Sequence, residues 1–196
     1  MTRLDDNDEK NPAPAPTTLI ENALFKSRTI LLTGGIDFKT ARAVCERLLA
    51  LSAESNDPIL LVISSPGGHV ESGDMIHDMI KFVAAPVKVL GTGWVASAGA
   101  LIYSAAKKEN RYSLTNTRYL LHEPRGGVGG QATDVEIQAR EIIKMRERLN
   151  KIFAQATGKT LEQIKKDTDR DFWMSAEEAL AYGLVGKIVS HRNEVV

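Results

Sequence analysis

The chain has 196 residues, 43% of them hydrophobic, with 25 basic and 25 acidic residues and a formal net charge of zero. That length suits one domain with a sizeable core, and the balanced charge excludes an electrostatic grip on nucleic acid or on a membrane surface. One cysteine excludes a disulfide framework within the chain, and no apolar run approaches the roughly 18 residues of a membrane-spanning helix.

In chain order, residues 1–17 are acidic and rich in Pro and Ala, and they predict a flexible N-terminal arm ahead of one domain over 18–196. The arm has no hydrophobic centre and is no secretory signal, which favours the cytoplasm. Thr29 to Thr33 predicts a short strand. Asp37 or Thr40 opens a helix whose inner face is Ala41, Val44, Cys45, Leu48 and Leu49. Ile59 to Ile63 and Val87 to Leu90 are continuous apolar runs, as expected of strands buried on both faces. Between them come a Pro66-Gly67-Gly68 turn and a helix from about Ser72, with Met75, Ile76, Met79 and Ile80 inward. A second helix is predicted after Ser97, and Tyr119 to His122 predicts a further strand. Alternating strands and helices predict an α/β fold with a mostly parallel sheet.

The longest helical signal runs from Thr133 to about Gln155. Thr133-Asp134-Val135-Glu136 has the form of a capping box. Val135, Ala139, Ile142, Met145 or Leu149, and Ile152 continue the apolar stripe, and Gly158 is a stop. The helix would be roughly 35 Å long at 1.5 Å per residue. Its outer face carries Arg140, Lys144, Glu147, Arg148 and Lys151. A surface helix on its own core and a projecting helix against another subunit both fit this pattern.

Three segments carry chemistry. Gly91-Thr92-Gly93-Trp94-Val95-Ala96-Ser97-Ala98-Gly99-Ala100 places a serine at a strand-to-helix junction, where free N–H groups gather. A nucleophile whose reaction develops an oxyanion needs such a place. Val95 occupies the first glycine position of G-x-S-x-G, so this is not the usual hydrolase elbow. Adjacent Gly67 and Gly68 expose backbone donors suited to an anion. His122 ends an apolar strand before a glycine-rich loop. Each segment alone also fits an ordinary role: a small serine in a packed turn, a connecting turn, a structural histidine.

Together they resemble the Clp protease (ClpP) family of serine peptidases. The shared motifs are Ser65-Pro66-Gly67-Gly68, Ala96-Ser97-Ala98-Gly99-Ala100, His122 with Pro124, Gly126-Gly127, and Gly130-Gln131-Ala132-Thr133-Asp134. A fifth segment, Asp167 to Ala179 followed by Tyr182-Gly183-Leu184-Val185, resembles the family's acid-bearing stretch and closing helix. Motifs in register over roughly Ile30 to Val189 make the resemblance specific.

The resemblance implies a ClpP/crotonase-like fold with a head and a projecting handle helix at about 133–156. It implies a Ser97, His122, Asp171 triad, because acyl transfer needs a nucleophile, a base and an orienting acid. Asp167 and Asp169 are otherwise equal candidates for the acid, and motif alignment alone selects Asp171. The resemblance further implies an oxyanion hole from the N–H groups of Gly68 and Ala98. Substrate contacts would come from Gly67, His69, Val70, Pro124, Gly126 and Gly127, with main-chain pairing along the glycine-rich loop. Gln131, Asp169 and Arg170 would lie at the interface between two stacked rings of seven identical subunits. No metal or cofactor is expected. The chain has no G-x-x-x-x-G-K-[ST] loop, so unfolding of folded substrates would fall to a separate Clp-family AAA+ unfoldase.

Several residues depart from the family pattern. His69 replaces a small serine, Ala98 replaces methionine, Glu123 and Arg125 replace glutamine and leucine, and Gly186 replaces aspartate. The Leu19 to Arg28 segment lacks the tyrosines of the family's docking region, and Val62 replaces another. Trp94 and Trp173 read as core or interface packing. Two alternatives remain: a crotonase-fold acyl-CoA enzyme, and a non-catalytic ring subunit that modulates a paralogue.

Overall fold

The computed structural model describes residues 16–127 and 129–195. Most of the expected arm lies outside the described residues, and helix α1 (Pro16–Lys26) already includes its last two positions. The strands are β1 (Thr29–Thr33), β2 (Ile59–Ser65), β3 (Val87–Ala96), β4 (Arg111–Leu114), β5 (Arg118–Leu121), β6 (Phe172–Met174) and β7 (Lys187–Val189). The remaining helices are α2 (Phe38–Glu54), α3 (Val70–Phe82), α4 (Ala98–Ser104), α5 (Ala132–Thr157), α6 (Leu161–Thr168) and α7 (Ala176–Tyr182).

The sheet runs β1-β2-β3-β4-β7, with β5 paired to β3 and β6 to β5. Every pairing is parallel except β5–β6. This is the expected mostly parallel α/β arrangement. The core gathers Ile30, Leu32, Leu48, Ile59, Leu61, Ile63, Ile76, Val89, Leu101 and Ile102, all buried. Cys45 lies in it, as a small apolar residue on α2.

Strand β3 is longer than its apolar run. Gly91 to Ala96 stays extended because β3 has two neighbours in succession. Val89 to Gly91 pair with β4, and Trp94 to Ala96 pair with β5. The expectation that β2 and β3 are buried on both faces is corrected. In β2, Ile59, Leu61, Ile63 and Ser65 are buried while the residues between them are half-buried, so one face meets the core and the other is partly covered. Trp94 is 45% exposed and no part of the core. Trp173 is partly buried, with the Arg118 guanidinium 4.4 Å from its ring centre.

Helix starts follow local caps. Asp37 caps α2 by accepting from Thr40 N–H at 2.7 Å. Helix α3 begins at Val70, earlier than expected, with His69 as its N-cap. The expected capping box at Thr133 does not form. Gln131 is the N-cap of α5, so Thr133 already lies inside the first turn. Gly158 ends α5 in a left-handed conformation, as expected. The helix has 26 residues, of which only Leu149, Asn150, Phe153 and Thr157 are buried, all near its C-terminal end. Met145, Ile152 and Ala154 also pack against the core, while the N-terminal part of the helix leaves Ile137 and Ile143 about half exposed at 55% and 47%.

Candidate active site

Register alone brings the proposed groups to one edge of the sheet. Strands β3 and β5 are parallel with Ala96 opposite Leu120, so Ser97 and His122 both leave the sheet at carboxyl ends of strands. That is where ligands bind in parallel α/β sheets. Strands β5 and β6 are antiparallel with Leu121 opposite Phe172. The next residues outward are His122 and Asp171, which therefore face each other.

Ser97 is the N-cap of α4 and has φ 56° and ψ −121°, a conformation that strains any residue with a Cβ. Its N–H donates to Leu120 O at 3.0 Å, and its carbonyl accepts from Leu101 N–H at 3.1 Å, so both sides of the strained residue are pinned. Small neighbours permit the tight turn. A Cβ on Gly67 would meet Ser97 Cβ at 2.6 Å, and one on Gly68 would meet Ile36 O at 2.2 Å. Both glycines also have positive φ, 95° and 152°. No other residue type fits the Gly67-Gly68 turn against Ser97.

That turn is clamped by groups that sequence reasoning missed. Ile36 N–H donates to Gly67 O at 2.9 Å, and His69 N–H donates to Ile36 O at 2.8 Å. The buried Ser65 hydroxyl donates to Gly34 O at 2.6 Å and accepts from Gly67 N–H at 3.0 Å. Gly68 N–H takes no part in this set. Ala98, as the first residue of α4, has an N–H with no partner within its helix. The signal for the clamp was Gly34-Gly35-Ile36 after β1, which reads from sequence only as a turn.

Ser97, Ala98, Val70, His122 and Pro124 line one small pocket, closed by Leu101 of α4 and by Leu149 and Phe153 of α5. Leu149 was expected as part of the helix's apolar stripe, facing either its own core or another subunit. It is buried in its own chain and forms a wall of the site. Gly126 lies against Ile142 of α5, to which a Cβ would come within 3.3 Å, while Gly127 is exposed and open. His69 does not line the pocket. Its Nδ1 lies 2.9 Å from Ser72 Oγ and its Nε2 lies 3.1 Å from Glu71 Oε2.

The three candidate acids separate by what they touch. Asp167 accepts from Tyr182 O–H and from Gln163 Nε2–H, each at 2.7 Å, and ties α6 to α7. Asp169 lies 3.7 Å from Arg170, with both side chains exposed. Asp171 Oδ1 lies 3.2 Å from His122 Nδ1. The approach has ion-pair distance but not hydrogen-bond direction, and both ring nitrogens of His122 are buried without a hydrogen-bond partner. Asp171 Oδ1 also accepts from Arg125 Nη2–H. Glu123 N–H donates to Thr168 O at 2.8 Å, and the buried Thr168 hydroxyl donates to Ile164 O at 2.8 Å and lies 3.0 Å from the Asn150 side-chain amide. These bonds anchor the histidine loop to the end of α6 just before Asp171.

The His122 pKa is held below the ordinary histidine value. Burial is the first cause and the Arg125 charge the second, with Asp171 pulling the other way. A partly buried imidazole kept neutral near pH 7 is available as a base. Gln131 is exposed at the N-cap of α5, and with Asp169 and Arg170 it lies outside the pocket. Among the described residues no cluster of His, Cys, Asp or Glu could hold a metal ion. No described helix is long and apolar enough to cross a membrane.

Comparison with known proteins places this geometry in a family. Residues 15–192 match the Clp protease family. The chain is 59% identical over 196 residues to ATP-dependent Clp protease proteolytic subunit 2 of Gluconobacter oxydans, covering 99% of this chain and 86% of that one. It is 57% identical to the subunit of the same name from Pseudomonas aeruginosa, over 90% of this chain and 88% of that one. Among solved structures, ClpP1 from Listeria monocytogenes superposes with a TM-score of 0.82 at 53% identity, covering 90% of this chain and 99% of that one. With the family match over nearly the whole chain, this protein belongs to the Clp protease family.

Proposed function

We propose that this Clp protease subunit is a serine endopeptidase with Ser97 as nucleophile, His122 as base and Asp171 as the orienting acid. One observation carries the reading. A serine held at positive φ at a helix N-terminus shares a pocket with a partly buried histidine, and that histidine lies 3.2 Å from a carboxylate. His122 Nε2 takes the hydroxyl proton as Ser97 Oγ attacks the peptide carbonyl. The N–H groups of Gly68 and Ala98 receive the developing oxyanion. His122 then protonates the leaving amine, and water hydrolyses the acyl-enzyme by the same steps in reverse. Gly126 and Gly127 pair with extended peptide backbone, which admits many sequences, and Gly67, His69, Val70 and Pro124 border the same path.

The relatives are named ATP-dependent. This chain has no nucleotide-binding loop, so a separate AAA+ ATPase supplies the unfolding. The projecting half of α5 joins subunits into two stacked rings of seven, with Gln131, Asp169 and Arg170 at the ring–ring contact. The chamber so formed restricts cleavage to peptides and threaded chains in the cytoplasm. The chain acts as a single peptidase domain. Ser97→Ala should abolish hydrolysis of a fluorogenic peptide while leaving assembly intact, and hydrolysis that survives in this variant contradicts the assignment.

A further inference from the structure

We propose that Arg125 is a positioning residue that restrains the triad, its guanidinium holding the Asp171 carboxylate out of line with His122. The inference rests on the triad reading above. Arg125 Nη2–H donates to Asp171 Oδ1, and the same oxygen is the atom 3.2 Å from His122 Nδ1. His122 Nδ1 nonetheless has no hydrogen-bond partner. The carboxylate is therefore oriented for the arginine and not for the imidazole.

The competition has a physical basis. An arginine presents a planar, permanently charged fork matched to a carboxylate, whereas neutral imidazole offers one uncharged N–H. Arg125 is free to let go, because its side chain is 70% exposed. It also adjoins Gly126 and Gly127, the segment assigned to peptide backbone. A peptide paired there moves the residue that grips Asp171. The restraint is thus placed where substrate can relieve it, and leucine, common in the family at this position, would not impose it.

The charged groups facing His122 are few. Glu123 and Arg125 lie on its own loop, and Asp171 lies across from it. Glu123 is engaged by Arg146 of α5 at 3.2 Å. Removing the Arg125 charge removes one of the influences that depress the His122 pKa and frees Asp171 to raise it. The acid limb of kcat/KM, which reports protonation of the base in free enzyme, then moves to higher pH. Because Asp171 can also align the ring, the plateau rate rises.

The test uses the assembled full chain with Arg125→Leu and Arg125→Lys. A small fluorophosphonate reports the Ser97 labelling rate without engaging the peptide path, and peptide kcat/KM is measured across pH. For Arg125→Leu, labelling and plateau kcat/KM should both rise by up to about fivefold, the ceiling of an exposed ion pair, with the acid limb shifted up. Arg125→Lys keeps the charge but loses the fork, so its limb should stay near that of the unmodified protein while labelling rises less. A fall in labelling overturns the proposal, because Arg125 would then support the triad. Unchanged labelling overturns it too, even if the limb moves, because the charge alone would be acting. Absence of Ser97 labelling in every variant, the unmodified chain included, contradicts the triad itself and is thereby distinguished from failure of the restraint.

Discussion

The two sides of the site are built differently. The Ser97 side is fixed by packing: Ser97 is pinned at both backbone groups, and Gly67 and Gly68 admit no Cβ. The Asp171 side is fixed by charge: Asp171 is 40% exposed and shared between His122 and Arg125. A packed junction holds one geometry, because neighbouring atoms forbid the alternatives. An exposed ion pair is worth roughly 0–1 kcal/mol and can be exchanged. Ser97, the proposed nucleophile, is thus set within one chain, while Asp171, the proposed acid, is held by an exchangeable contact.

The sharpest break in this contrast comes on the acid side. Asp171→Asn should lower kcat by about 10²- to 10⁴-fold, because an amide cannot hold the imidazole in its working tautomer. Asp167→Asn should leave kcat nearly unchanged and cost about 1 kcal/mol of stability through weakened bonds to Tyr182 and Gln163. Parallel kinetics and denaturant melts read both, and an equal loss of kcat in the two variants would mean the acid is misassigned.

The packed side is tested by Gly68→Ala. The added Cβ meets Ile36 O at 2.2 Å on a φ of 152°, so about 1–3 kcal/mol of strain is expected, with the turn displaced from Ser97. Melting temperature should fall, and activity should drop about tenfold or more, since small misplacements are costly in catalysis. A variant with unchanged melting and rate would show that the turn is not fixed by packing.

Much of this contrast was legible in the residues. The α/β layout, the boundaries of β1, and Asp37 opening α2 followed from periodicity and capping. The long helix was visible as a stripe, but its division was not. Leu149 and Phe153 belong to the core while Ile137 and Ile143 face outward, and a periodic stripe does not say where the chain's own core stops. Strand β3 overran its apolar run because pairing with β5 depends on a partner distant in sequence. The three aspartates looked alike because what separates them is contact: Tyr182 for Asp167, Arg170 for Asp169, His122 for Asp171. Arg125 was visible only as an unusual residue, since its grip on Asp171 spans 46 positions.

Assembly extends the comparison from side chains to subunits. Ile137→Asp places a charge on the projecting half of α5, where no core in its own chain is disturbed. It should break the proposed double ring into smaller species by sedimentation while leaving melting of the head unchanged. Substitution at the buried Leu149 would confound the two. An unaltered mass for Ile137→Asp would remove that face of α5 from the interface. The smallest effect is expected of Arg170→Ala. Arg170 is 94% exposed and 3.7 Å from Asp169 in the single chain, a pair of little worth by itself. If the residue acts across the ring interface, mass and activity should fall together as protein concentration is lowered. Activity lost from an intact double ring would confine Arg170 to a local role.

The account centres on Ser97 as a nucleophile activated by His122. The most direct measurement is fluorophosphonate treatment of the purified chain, followed by mass spectrometry of its peptides. The account predicts one adduct, on Ser97, formed at a rate that collapses in His122→Ala. An adduct on another serine, or labelling of Ser97 undiminished in His122→Ala, would contradict it.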